Sequence, residues 1–230
     1  MNYNIISADG HVDIDYLPED LFVSNAPAGW HDKMPHVVES DDGLEWHAKG
    51  IFLAQAKRRW KFTLTPENEA RMAMIADTGF YDDAAKGMPH PTTPELRIKD
   101  QDRDGVDADV IYGLTFTGSR LLGASPRPGL NEDIQPDPEL VAIMYRIYND
   151  WLADFCKQNP QRLVGLACLP NHEPEAAAAE LRRAAKMGLK GGEFVVQSVS
   201  MPIYYDDWDV LWRASAECNM PIHFHILDWL

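Results

Sequence analysis

From about residue 94 onward the sequence alternates helix-like and strand-like segments, and no other feature constrains the fold as strongly. Five short apolar runs, bounded by turn residues and rich in β-branched or aromatic side chains, read as buried strands. They are Asn4 to Ser7, Ala108 to Leu114 (ADVIYGL), Leu163 to Pro170 (LVGLACLP), Leu189 to Val196 (LKGGEFVV) and Met220 to Ile226 (MPIHFHI). Amphipathic helices lie between them. In PELVAIMYRIYNDWLADFCKQNP, Leu140, Met144, Ile147, Tyr148, Trp151, Leu152 and Phe155 recur at helical spacing on one face. EPEAAAAELRRAAKMGLKG has Pro174 at a first helical position and Gly188 where a C-terminal stop belongs. DDWDVLWRASAECN offers Asp206 or Asp207 as a cap, and PELRIKDQDRDG is a shorter helix ending at Gly105. Strand–helix alternation at this spacing implies parallel pairing through right-handed crossovers. A doubly wound sheet and a (β/α)8 barrel both satisfy it.

The alternation is interrupted between the first and second strands. Residues 18–94 hold many prolines, charges and aromatics and little clean period, so they read as a long insertion after strand 1 within a single domain spanning residues 1–230. Helical pieces are expected around Gly50 to Arg59 and Pro66 to Ala76. Loops this long inside domains usually serve as lids or binding elements.

Composition excludes several function classes. The net charge is −15, which disfavours nucleic-acid partners and anionic membrane surfaces, since both need clustered Lys and Arg. The short basic run KRRWK (Lys57 to Lys61) reads as a solvated helix face, and Arg58 or Arg59 within it as a surface residue or, less simply, a clamp for a substrate carboxylate. Cys156, Cys168 and Cys218 are odd in number, far apart and set in apolar segments, so they are expected to be reduced core residues. With no secretory signal and no run near the roughly 18 apolar residues of a membrane helix, the expected setting is the cytoplasm. There is no GxGxxG after a strand, no phosphate-binding loop and no GxSxG elbow. GLKGG precedes strand four and reads as a helix stop and turn.

Three pieces near strand ends carry metal-capable side chains. Asp9 and His11 follow the first strand, His223 and His225 lie in the fifth, and His172 follows the third. Residues i and i+2 of a strand face the same way, so each pair shares a face if the strand reaches it. A carboxylate with imidazoles suits zinc, manganese or iron. In a barrel such side chains gather at the C-terminal strand ends, and strands one and five lie opposite each other across the mouth. The bland readings are a turn and cap at Asp-Gly-His and a surface cap at His172. The residues alone leave turn and ligand both open. Nothing places His31, His36, His47 or His90.

Four segments together resemble the amidohydrolase-related family, the branch that includes aminocarboxymuconate-semialdehyde decarboxylase and the resorcylate and carboxyvanillate decarboxylases. ISADGHVDIDYLPEDLF is similar to the family's opening D/E/H-x-H strand. RIKDQDRDGVDADVIYG is similar to its first helix and second strand. YNDWLADFCKQNPQRLVGLACLPNHEPEAAAAELRRAAKMGLKGGEF is the most family-like stretch, and MPIHFHI resembles the fifth strand with its metal-binding histidine. The resemblance implies a (β/α)8 TIM-type barrel of which this chain carries about five of eight β/α units, incomplete at the C-terminal side and with strand edges one and five exposed. It implies one divalent metal, zinc first and manganese second, with Asp9, His11 and His225 as ligands and His223 as the fallback for His225. The acid/base histidine and a further aspartate ligand are expected beyond Leu230. The implied function is hydrolysis or nonoxidative decarboxylation of a small, aromatic-derived carboxylic acid. The competing expectations are a truncated, inactive fragment of such an enzyme and a non-catalytic α/β binding domain. The expected partner is a small-molecule substrate, with no nucleic acid and no membrane, and homo-oligomerisation left open.

Overall fold

The computed structural model describes residues 2–41, 43–56, 66–123, 135–195 and 201–225. Five of its strands form one parallel sheet: β1 (Ile6–His11), β5 (Ala108–Tyr112), β6 (Leu163–Cys168), β7 (Gly191–Val195) and β8 (Ile222–His225), in the spatial order β1-β5-β6-β7-β8. Spatial order follows chain order, each step crosses over through helix, and every pairing is parallel. The sheet is therefore singly wound and curls as a barrel wall does. The connecting helices are α4 (Pro94–Asp104), which leads into β5, then α5 (Thr115–Leu121) and α6 (Pro138–Lys157) between β5 and β6, α7 (Pro174–Met187) and α8 (Asp209–Cys218). The architecture is a half-barrel of the (β/α)8 type, with five parallel strands and four helical crossovers among the described residues, and the doubly wound alternative is set aside.

The helices form where the pattern placed them. Asp137 caps α6 by accepting a hydrogen bond from the Leu140 amide, and α6 buries Leu140, Met144, Tyr148, Leu152 and Phe155 against the sheet. Trp151, on the expected apolar face, stays half-buried and stacks on Phe155. α7 packs through Ala177, Ala178, Leu181 and Ala184, small residues that let the helix lie close to the strands. Gly188 ends α7 at φ 98°, a left-handed conformation that a Cβ disfavours. The two glycines after it are strand residues rather than part of a turn, because β7 begins at Gly191. One buried side chain ties three elements together. The Asn149 amide donates to the Cys168 carbonyl (3.0 Å) and to Glu180 (2.7 Å), and its oxygen accepts from the Cys168 amide (2.9 Å).

Between β1 and β5 the chain builds a second, antiparallel sheet in the order β2 (His36–Ser40), β3 (Gly43–Ala48) and β4 (Ile51–Gln55). This corrects the expectation of a helix around Gly50 to Arg59. Lys49 and Gly50 both adopt positive φ, 53° and 77°, which is the requirement of a two-residue hairpin turn whose twist matches its strands. Trp46 and Leu53 of this hairpin are buried, and Phe22 meets Trp46 edge-on at 5.9 Å. Helices α1 (Leu21–Asn25), α2 (Pro66–Ala76) and α3 (Phe80–Ala85) complete the segment. α2 falls on the expected stretch. Arg58 and Arg59 lie outside the described residues. Among the described residues, no helix is long and apolar enough to cross a membrane.

Candidate metal centre

β1 runs further than its apolar residues suggest. Its ladder with β5 shifts register between Ser7 and Gly10, then resumes with Gly10 opposite Ile111 and His11 opposite Tyr112. The Val12 amide continues it by donating to the Tyr112 carbonyl. Asp9 and His11 therefore sit within the strand rather than in a turn after it. At the far edge of the sheet, β8 pairs with β7 so that His223 lies beside Glu193 and His225 beside Val195.

The curl of the sheet brings these edges together. Nε2 of His225 lies 3.3 Å from Nε2 of His11, and Oδ1 of Asp9 lies 3.5 Å from Nε2 of His11 and 3.8 Å from Nε2 of His225. One donor atom from each of Asp9, His11 and His225 falls within 4.8 Å of the others. Donors held about 2.0–2.2 Å from one tetrahedral ion are separated from each other by roughly 3.3–3.6 Å. The three residues thus present the donor types, and close to the spacing, of three of the four positions around such an ion. Asp9 is exposed, whereas the two imidazoles are mostly buried.

Tyr112 separates the two histidines of β8. Its hydroxyl meets Nδ1 of His223 at 3.1 Å, and its ring lies 5.7 Å from that of His11 and 5.0 Å from that of His225. His223 faces the interior from one step deeper and is engaged by the tyrosine, and it is not part of the three-donor cluster. The Asp13 carboxylate stands 3.5 Å from Nδ1 of His11. That contact, with the negative fields of Asp13, Glu193 and Asp9, outweighs burial and raises the His11 imidazole above its ordinary value. Burial alone lowers His223.

Glu193, Tyr112 and Asp13 were not singled out by sequence reasoning. Glu193 has no exposed surface and accepts hydrogen bonds from the Gly113 amide (2.8 Å) and the Thr115 hydroxyl. Burial nonetheless pushes its carboxyl upward. The signal was present, since GGEFV sets a carboxylate in an otherwise apolar strand. His172 does not act as a surface cap: α7 has no side-chain cap, and His172 is half-buried, with Nδ1 buried and without a hydrogen-bond partner. Burial lowers its imidazole. His90, unplaced by the sequence, is 1% exposed and bridges Asp100 (2.7 Å) and Asp83 (3.3 Å).

Residues 122–228 match the family model described as Amidohydrolase. Over that stretch, a little under half of its length, the chain is similar to the amidohydrolase family. Over 160 residues the chain is 33% identical to a gamma-resorcylate decarboxylase of Polaromonas sp. (strain JS666), covering 62% of this chain and 45% of that protein. In structure it is similar to an amidohydrolase from Mycobacterium avium subsp. paratuberculosis K-10, with a TM-score of 0.62 at 15% identity, over 98% of this chain and 58% of the other. It is also similar to 5-carboxyvanillate decarboxylase from Novosphingobium aromaticivorans, solved with bound manganese, with a TM-score of 0.50 at 17% identity, over 97% and 51%. The chain spans about half the length of these proteins.

Proposed function

We propose that Asp9, His11 and His225 hold one divalent metal and that the chain belongs to a nonoxidative decarboxylase acting on a small hydroxylated aromatic acid. The observation that carries this reading is the three-donor cluster assembled from the two outermost strands of the sheet. Manganese and zinc both suit a carboxylate with two imidazoles. The decarboxylase named among the relatives favours decarboxylation over hydrolysis. When bound, such an ion supplies Lewis acidity toward an anionic oxygen of the substrate.

The chain's own residues have separate tasks in this reading. The Nε2 atoms of His11 and His225 and the Asp9 carboxylate converge on one point. Asp13 keeps Nδ1 of His11 facing away from that point. The Tyr112 ring fills the space beneath both ligand imidazoles, so substrate approaches from the open C-terminal end of the strands. Buried Glu193 adds a carboxyl group behind the two histidines and opposes excess positive charge there. The free cysteines, two of them buried, support a reducing, cytoplasmic setting.

The test is metal content and turnover, with manganese or zinc, of a purified full-length version extended to the length of its relatives, using 2,6-dihydroxybenzoate and following release of carbon dioxide. Asp9→Asn and His11→Ala are expected to lose metal and rate together. If both variants keep full metal content, the assignment is wrong. Metal uptake without turnover on any hydroxybenzoate by the full-length version would leave the site and remove the decarboxylase.

A further inference from the structure

Arg97, on α4, is the charged group most fully engaged near the ligand strand. Its Nε donates to Asp109 at 2.9 Å and its Nη2 to the same carboxylate oxygen, while Nη1 donates to the carbonyl of His11 (3.1 Å) and to that of Pro91 (3.1 Å). The side chains of Arg97 and Asp109 are only 11% and 9% exposed. The other Asp109 oxygen, Oδ1, is buried without a hydrogen-bond partner. It lies so close to the backbone of Gly10 that a Cβ there would stand 2.0 Å from it. Any residue but glycine at position 10 would therefore displace the ion pair.

Taken only as a stabilising contact, this arrangement is a poor one. Burying a charged pair costs desolvation that the attraction barely offsets, and an orphaned oxygen adds to the cost. Its placement has another consequence. Gly10 lies between Asp9 and His11, at the point where the β1–β5 ladder resumes after its register shift. The carboxylate covers the outer side of that residue, and the guanidinium holds the carbonyl of the next. The strand segment bearing two of the three donors is clamped from behind by α4 and β5.

We infer that the Arg97–Asp109 pair is a positioning device for the metal site, fixing the backbone of Asp9-Gly10-His11 so that both side chains face His225. This inference rests on the proposed reading of Asp9, His11 and His225 as ligands. It concerns neither the ligands themselves nor the substrate.

The test separates positioning from stability. Arg97→Met combined with Asp109→Leu replaces the buried pair by apolar side chains, a change that commonly preserves stability. Manganese affinity by titration calorimetry and thermal melting of the metal-free protein are measured for this double variant, wild type and His11→Ala. The expected result is a melting temperature near wild type with manganese affinity about ten-fold weaker or more, the usual scale for losing a group that orients a ligand. Arg97→Lys keeps a positive charge but cannot span Asp109 and two carbonyls, and it is expected to weaken manganese binding in the same way. Wild-type affinity in both variants, with His11→Ala unable to bind, overturns the positioning role and leaves the metal site standing. A wild type that takes up no manganese, or a His11→Ala variant that binds as wild type does, overturns the metal reading and this inference with it.

Discussion

Glu193 shows how one buried carboxyl group can govern the pH response of the interior. It accepts hydrogen bonds from the Gly113 amide, the Thr115 hydroxyl and the Cys168 thiol, yet burial raises its folded-state pKa above the ordinary 4.5. The folded state therefore binds this proton more tightly than the unfolded chain does. The resulting stability is fully present below the unfolded value and is lost as pH rises through the folded value. Glu193→Gln removes that dependence. In metal-free protein the variant is expected to gain stability relative to wild type as pH rises from about 4 toward 8, measured by paired urea titrations. A difference that stays flat with pH would contradict the raised pKa. The two histidines of β8 make a second residue-scale prediction. His225→Gln abolishes metal uptake, whereas His223→Gln retains it, and metal analysis of the purified variants decides between them. His-x-His spacing in the sequence places both imidazoles on one face but says nothing about depth. The distinction comes from Tyr112, more than a hundred positions away in the chain, which engages His223 and leaves His225 to the cluster.

Among the elements, those written in local chemistry were legible and those made by exceptions were not. α6, α7 and α8 follow apolar spacing and fall within a few residues of their expected limits, and Gly188 stops α7 as expected. Neither Asp206 nor Asp207 caps α8, whose N-terminal residue follows Trp208 without a side-chain cap. The β3–β4 hairpin was hidden because its turn needs a lysine in a left-handed conformation, which few lysines adopt. β1 was read too short because its donors, Asp9 and His11, are polar strand residues whose pairing is supplied by β5. The stop at Gly188 gives a direct test: Gly188→Ala forces a Cβ into φ 98° and is expected to cost about 1–2 kcal/mol, read from urea denaturation. Asn149→Leu probes the staple between α6, β6 and α7. It leaves the Cys168 amide and carbonyl without their side-chain partner, each worth about 1–3 kcal/mol when buried and unsatisfied. Its loss should therefore exceed that of Gly188→Ala in the same assay.

Across the molecule, the parallel strands stand in the order of the chain. Alternation in the sequence foresaw parallel strands joined by helices but left a doubly wound sheet and a barrel both open, and the family resemblance pointed to the barrel. The joining of the sheet's two edges was less legible, because it depends on how tightly five strands curl, and no local pattern encodes curvature. If a metal bridges those edges, it stabilises the fold by mass action, about 2.7 kcal/mol at a hundred times its dissociation constant. Manganese should then raise the melting temperature of wild type and leave that of Asp9→Asn unchanged. The donors on the two edges also have a temporal meaning. His11 and His225 are 214 positions apart, a separation that places their encounter late in any folding route that starts from local helices and neighbouring strands. During synthesis the first pair of donors emerges long before its partner. Until then β1 can offer an ion only Asp9 and His11, a weak two-donor grip. Firm metal retention would thus mark chains that have finished curling, which makes metal content of a purified sample a measure of how many molecules reached the native state.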